Sequence, residues 1–281
     1  MAIESLSLPS PAKLNLFLHI NGRYENGYHE LQSVFQLLDY GDHIHLELNQ
    51  SGTIQLATEL SGVAHDDNMI VKAARLLQQH SKTDLGANIR LDKKLPMGGG
   101  IGGGSSNAAT VLLGLNQLWN TQLDLDALAQ LGKTLGADVP VFVRGNSAFA
   151  EGIGECLSPI ELPSAYYLVA TPHVHVSTQS IFNHPDLPRH TAKINKTEYN
   201  FASTVNDCET LVCKLHPDVA NLLQWLLQFA PSRMTGTGAS VFAVFSDKHS
   251  AEHVLSQLPV NYRGFVARGV NRSGLHAALA I

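Results

Sequence analysis

The chain has 281 residues, 44% hydrophobic and 15% charged, which suits a globular protein with room for two domains that each bury a core. A net charge of −5 with no basic stripe excludes a surface that draws a nucleic-acid backbone. Apolar runs such as Leu14 to Ile20 are broken by Asn15 and His19 and are too short for a bilayer span.

Met1 to Pro9 carries Glu4 and no positive cluster, unlike a signal peptide. Residues 14–20 read as a strand ending in a turn at Asn21-Gly22. Residues 31–38 and 43–48 read as two further strands joined by a turn over Asp39 to Asp42, and 53–57 as another. The period then changes. Met69, Ile70, Ala73, Ala74, Leu76 and Leu77 share one helical face, with Asn68 as N-cap. Ala87 to Leu91 returns to strand character. A glycine-rich segment follows, then helices over about Ser105–Trp119 and Asp124–Leu135, the second stopped by Gly136. Residues 139–143 and 146–150 are short apolar runs.

Pro159, Pro163, Pro172, Pro185 and Pro188 punctuate the next stretch, which places a domain boundary near residue 155: 1–155 and 156–281. The second part reads as a strand at 166–170, a polar loop at 183–200, helices near 206–214 and 217–229, a strand at 240–245, a helix near 248–257 and a strand near 264–268. Strands and helices mix without βαβ alternation, so the class is α+β rather than a doubly wound sheet.

Three cysteines without CxxC spacing argue against a disulfide framework and a zinc site, and point to the cytoplasm. Among 14 histidines, His43/His45 and His173/His175 alternate on strand-like runs, but no HExxH pattern or Cys/His cluster joins them. They read as solvated or satisfied side chains, and no protein-held metal is expected.

The segment with most chemistry is Pro96-Met97-Gly98-Gly99-Gly100-Ile101-Gly102-Gly103-Gly104-Ser105-Ser106. Glycines let backbone approach a ligand closely, and the helix N-terminus behind them offers free N–H groups and positive dipole charge. Together they form a cradle for phosphates. Ser105 and Ser106 can cap the helix, or bind a phosphate oxygen or Mg²⁺. A flexible linker has no reason to lie between a strand and a strongly apolar helix. The loop lacks GxxxxGK[ST], the context of a dinucleotide fingerprint, and the HRD and DFG companions of protein kinases.

This loop, with Ser10-Pro11-Ala12-Lys13-Leu14-Asn15-Leu16 before it and Arg233-Met234-Thr235-Gly236-Thr237-Gly238-Ala239-Ser240 after it, resembles the three ordered motifs of the GHMP kinases. Gly27-Tyr28-His29, His65-Asp66-Asp67-Asn68 and Gly136-Ala137-Asp138-Val139-Pro140 narrow the likeness to the branch whose acceptor substrate carries a cytidine diphosphate group, in non-mevalonate isoprenoid precursor synthesis. It extends from about residue 9 to about residue 275. Ile101 stands where most members have Leu, and Asn107 where many have Asp.

The resemblance implies a two-domain GHMP fold with the active site in the inter-domain cleft, and transfer of the ATP γ-phosphate to a substrate hydroxyl. Mg²⁺ would shield the phosphates. Asp138 would accept the hydroxyl proton, and Lys13 would converge on it and polarise the hydroxyl or the γ-phosphate. Pro96 to Ser106 would bind the triphosphate, with Asn68 and Lys93 on the adenine side. Tyr28 and His29 match the cytosine-reading motif, Phe182 falls where a second stacking ring is expected, and Asn15 and Thr178 would contact the substrate. The partner is a small molecule, with no nucleic acid or membrane, and the chain is expected as a monomer or weak homodimer. The rivals are a GHMP kinase for homoserine, a mevalonate or a sugar, against which Gly27-Tyr28-His29 argues, and a non-catalytic nucleotide binder. A pure binder has no need of both Lys13 and Asp138.

Overall fold

The computed structural model describes residues 4–281, so the start of the N-terminal segment read above, Met1 to Ile3, lies outside the described residues. In chain order the elements are β1 (Ser5–Arg23), β2 (His29–Asn49), β3 (Ile54–Leu56), α1 (Met69–Ser81), β4 (Gly86–Asp92), α2 (Gly103–Leu118), α3 (Leu125–Leu135), α4 (Val139–Arg144), β5 (Ala148–Glu151), β6 (Cys156–Pro159) and β7 (Tyr166–Pro172). Then come α5 (Thr178–Asn183), α6 (Glu209–Leu215), α7 (Pro217–Leu226), β8 (Ser232–Met234), β9 (Val241–Phe245), α8 (Lys248–Leu255), β10 (Tyr262–Val270) and α9 (Gly274–Leu279).

The strands form one sheet in the order β3-β4-β2-β10-β7-β9-β8, with β1 and β5 also paired to β2 and β6 to β5. Apart from the parallel β3–β4 pair the ladders are antiparallel. This is the α+β arrangement expected. Leu14, Phe17 and Ile20 of β1 are fully buried, and α2 buries side chains on every face, from Ala108 through Leu115. A helix apolar all round belongs in a core, and its depth makes its N-terminus a fixed platform.

Two expectations need correction. The strand from Leu14 does not stop at Asn21-Gly22; pairing continues to Arg23↔His29, and the turn is tied by the Tyr24 N–H to the Tyr28 carbonyl at 2.8 Å, with Gly27 at φ +86°. Asp39 to Asp42 is no turn. Gly41 and Asp42 pair with Pro11 and Ser10, so β2 runs unbroken; a Cβ on Gly41 would lie 2.0 Å from the Ser10 carbonyl oxygen. The polar residues there mark a tight strand–strand approach and an inward carboxylate, which local turn chemistry imitates. Residues 139–143 are a buried helix behind Pro140. α3 ends at Gly136 as expected, but that glycine is extended (φ 175°) rather than left-handed.

The histidines are partly accounted for. His43 and His45 both reach the Ser7 hydroxyl, and His45 pairs with Asp92 at 2.8 Å. His19, His29 and His276 are buried, and burial is the main cause holding each below the ordinary imidazole value of 6.5. Below that value the unfolded chain takes up protons that these folded rings resist. Stability therefore falls as pH drops from about 6.5 through the folded values. Urea unfolding should show a smaller unfolding free energy at pH 5.5 than at pH 7.5. An unchanged value would contradict this coupling.

Candidate active site

β1 delivers the first side chains. Lys13 and Asn15, two residues apart, share one face of the strand. The backbone N–H of Lys13 donates to the Ile101 carbonyl at 3.0 Å, which docks the glycine loop onto β1. Lys13 Nζ is 3.1 Å from the Asp138 Oδ2 carboxylate oxygen. It also donates to Asn15 Oδ1 and, at 3.4 Å, to the Gly100 carbonyl, and lies 5.1 Å from the centre of the Phe35 ring. The lysine side chain is 3% exposed and that of Asp138 34% exposed, so the ammonium is buried behind a carboxylate that faces open space. Asp138 occupies the N-cap position of α4 without capping it, leaving its oxygens free for other work.

The glycine loop, 96–105, walls two adjoining cavities. One, of about 480 Å³, is lined by the loop together with Asn68, Met69, Lys93 and Asn107. The other, of about 300 Å³, is lined by Lys13, Asn15, Phe35, Asp138, Thr178 and Phe182, with Gly236 and Thr237 opposite. Gly100, Gly102 and Ser105 line both. Most of the residues singled out from sequence are thus brought to the two sides of one glycine wall.

Some fall elsewhere. Ser106 is fully buried; its hydroxyl accepts from Ser10 at 2.9 Å and its N–H donates to the Gly102 carbonyl at 2.8 Å. Its side chain is spent inside the protein, which leaves Ser105 as the hydroxyl facing the cavities. Tyr28 is 60% exposed and lines neither cavity. His29 is buried and stacks on Phe182, with ring centres 5.1 Å apart and planes at 27°. Asn68 caps α1, accepting from the Ile70 N–H at 3.0 Å, and lines the larger cavity as well.

One support was not read from the sequence. The Asp42 carboxylate, fully buried, accepts from Lys93 Nζ at 2.8 Å, from the Lys94 and Leu95 N–H groups at 2.7 and 2.8 Å, and from Asn107 Nδ2 at 3.1 Å. It pins the start of the glycine loop to the first turns of α2. Asn107, where many relatives carry Asp, donates to Asp42 and accepts from Ser10 at 2.6 Å; a second carboxylate there would face the first. The third motif supplies the other side: Thr235 Oγ1 accepts from the Asn15 N–H at 2.8 Å, the Ser240 N–H donates to the Gly99 carbonyl at 3.1 Å, and Thr237 and Thr178 share a hydroxyl contact at 2.9 Å.

An anion cradle that shares its wall with a lysine–carboxylate pair is the arrangement of a kinase for small hydroxylated molecules. The chain belongs to the GHMP kinases: the model for the GHMP kinases N terminal domain matches residues 68–146 and that for GHMP kinases C terminal matches 196–264. Within them it belongs to the 4-diphosphocytidyl-2-C-methyl-D-erythritol kinases. The kinase of that name from Pseudoalteromonas atlantica is 59% identical over 97% of this chain and 95% of its own. That from Shewanella loihica is 54% identical over 97% and 96%. A crystal structure of 4-(cytidine 5'-diphospho)-2C-methyl-D-erythritol kinase superposes with TM-score 0.83 and 29% identity, covering 94% of this chain and all of that one. A homoserine kinase from Cytophaga hutchinsonii shares the fold at TM-score 0.68 and 16% identity, over 98% of this chain and 97% of its own.

GHMP kinases use ATP as phosphate donor, and the loop's tolerance to substitution should follow its geometry. At Gly100, φ is +72° and an added Cβ would meet the Thr235 and Gly238 carbonyl oxygens at 2.6 and 2.8 Å. Gly100→Ala should lower kcat/KM for ATP about tenfold or more through backbone strain. Gly274→Ala, at a glycine outside both cavities whose Cβ would meet nothing within 4 Å, should stay near native. Steady-state kinetics at varied ATP decides it; equal losses at both positions would contradict the assignment.

Proposed function

We propose that this chain transfers the γ-phosphate of ATP to the 2-hydroxyl of 4-diphosphocytidyl-2-C-methyl-D-erythritol, giving the 2-phosphate and ADP in isoprenoid precursor synthesis. The observation that carries the reading is the shared glycine wall. A nucleotide in the larger cavity places its phosphates against Gly100, Gly102 and Ser105, and the Lys13–Asp138 pair lies in the smaller cavity across that same wall.

Phosphoryl transfer is mostly positioning and charge stabilisation. Loop N–H groups and the N-terminus of α2 hold the triphosphate. Asp138 orients the acceptor hydroxyl and takes its proton. Lys13, fixed by Asn15 and the Gly100 carbonyl, sets the carboxylate's position and adds positive charge beside the transferred group. Asn68 and Lys93 border the adenine side. The cytosine would be read at His29 and Phe182, with Tyr28 at the rim as the exposed ring able to close over it, and Asn15 and Thr178 contacting the rest of the substrate.

Ser105 and Asp138 offer oxygen donors on the two sides of the phosphate path, which fits Mg²⁺, an ion that binds with few protein ligands and keeps several waters. When bound it would neutralise charge on the phosphate oxygens. Cys156, Cys208 and Cys213 are free thiols, in keeping with a cytoplasmic setting. No helix among the described residues is long and apolar enough to cross a membrane. A boundary between two units near residue 155 accords with the family models, which match on either side of it.

The test is a comparison of kcat/KM for the cytidine-bearing substrate, the same polyol phosphate without cytidine, homoserine and mevalonate. The cytidine-bearing substrate should win by orders of magnitude. Preference for homoserine or mevalonate would keep the family and overturn the substrate.

A further inference from the structure

The polar stretch 183–200 holds a residue with no part in the scheme above. Arg189 Nε donates to His29 Nε2 at 3.1 Å. The rest of its guanidinium donates to backbone carbonyls: Leu187 at 3.0 Å and Pro185 at 3.5 Å through Nη1, Phe182 at 3.1 Å and His184 at 2.7 Å through Nη2. One fork therefore grips both members of the stacked pair: the ring nitrogen of His29 and the backbone of Phe182.

An arginine side chain has donors and no acceptor. The contact with Nε2 therefore requires a lone pair on that nitrogen, and in a neutral imidazole the proton must sit on Nδ1. His29 is kept neutral near pH 7, since burial first and then Arg189 and Arg23 hold its value below 6.5. Among the described residues nothing bonds Nδ1. It is not among the fully enclosed unpartnered side-chain atoms, which are His19 Nδ1, Asn21 Oδ1 and Thr110 Oγ1, so it keeps a small accessible surface although the ring as a whole is buried.

We propose that Arg189 is a positioning residue for base recognition, which fixes His29 as the Nδ1–H tautomer so that Nδ1 donates to N3 of cytosine and rejects uracil. This rests on the reading of His29 and Phe182 as the cytosine site. Cytosine presents a bare N3 acceptor, whereas uracil presents N3–H. A ring locked as donor matches the first and opposes the second. A ring free to exchange tautomers could offer Nδ1 as acceptor and admit uracil.

Two experiments test it. ¹⁵N spectra of the ligand-free protein with labelled histidine should show the His29 proton on Nδ1 at pH 7.5, and a population on Nε2 in Arg189→Ala. Kinetics with the cytidine substrate and its uridine counterpart supply the second. An unmet hydrogen bond costs about ten- to a hundredfold, so Arg189→Ala should lower kcat/KM for the cytidine substrate by that much and the uridine substrate by much less. The change should fall mainly in KM. Arg189→Lys keeps a donor-only head and should restore the cytidine-to-uridine ratio even where KM stays raised. A native ring protonated on Nε2, or an equal loss on both substrates in Arg189→Ala, would overturn the proposal. If the native protein turned over neither substrate the functional reading would fall, and the nitrogen spectrum would still decide the tautomer.

Discussion

Replacing Asp138 by Asn should lower kcat about a thousandfold, the middle of the range for a positioned acid–base group, while the protein stays folded and still binds ATP. Asn preserves the shape of the side chain and removes its charge and proton affinity. The Asp138 side chain is 34% exposed but that of Lys13 only 3%, so neutralising the carboxylate costs more than the roughly 0–1 kcal/mol of a surface pair, and less than stranding a buried ammonium outright because Asn still offers it an acceptor oxygen. Lys13 keeps Asn15, the Gly100 carbonyl and the Phe35 ring as partners. The nucleotide cavity does not include Asp138. The split between turnover and nucleotide affinity, from rapid-quench kinetics beside calorimetric titration with ATP, is the diagnostic. Near-native turnover would move the proton-accepting role to solvent or substrate.

Asp42→Ala should have the largest effect on stability, about 3–5 kcal/mol, because removing one partner of a buried ion pair strands the other. Here Lys93 loses its carboxylate, and the Lys94 and Leu95 N–H groups and Asn107 lose an acceptor together. Lys93 is 20% exposed and can still donate to the Leu95 carbonyl, which argues for the lower part of that range. The same groups open the glycine loop, so KM for ATP should rise in whatever fraction remains folded. Asp42→Asn keeps one acceptor oxygen and should be milder. Urea unfolding of the three proteins tests this. A loss below about 1 kcal/mol for Asp42→Ala would show that the loop is held by β1 and the third motif instead.

What could be read in the sequence was what is local. The glycine run must cradle something, whatever surrounds it, and Lys13 and Asp138 sit in short motifs whose spacing survives without the rest of the chain. The helix from Asn68 announced itself by cap and period. What escaped depends on contacts distant along the chain. Asp42 looked like turn chemistry in Asp39-Tyr40-Gly41-Asp42, and only pairing with Pro11 and Ser10 turns it inward. Arg189 lies in a polar stretch with no period, 160 positions from the histidine it fixes. Ser106 looked equivalent to Ser105; one step along a helix is about 100° of rotation, enough to send one hydroxyl to the cavities and the other to Ser10. Residues 139–143 show the reverse case, β-branched and apolar yet helical because the core around α2 and α3 decides.

The most direct test of the account is to follow ³¹P signals of the purified protein with ATP, Mg²⁺ and 4-diphosphocytidyl-2-C-methyl-D-erythritol, beside Asp138→Asn. A new phosphomonoester should grow in step with ADP while the substrate's own pyrophosphate signals persist, and the variant should show almost none on the same timescale. ADP without a new ester, or an ester formed equally fast by the variant, would contradict the claim that Lys13 and Asp138 hold the acceptor hydroxyl against phosphates bound along the glycine wall.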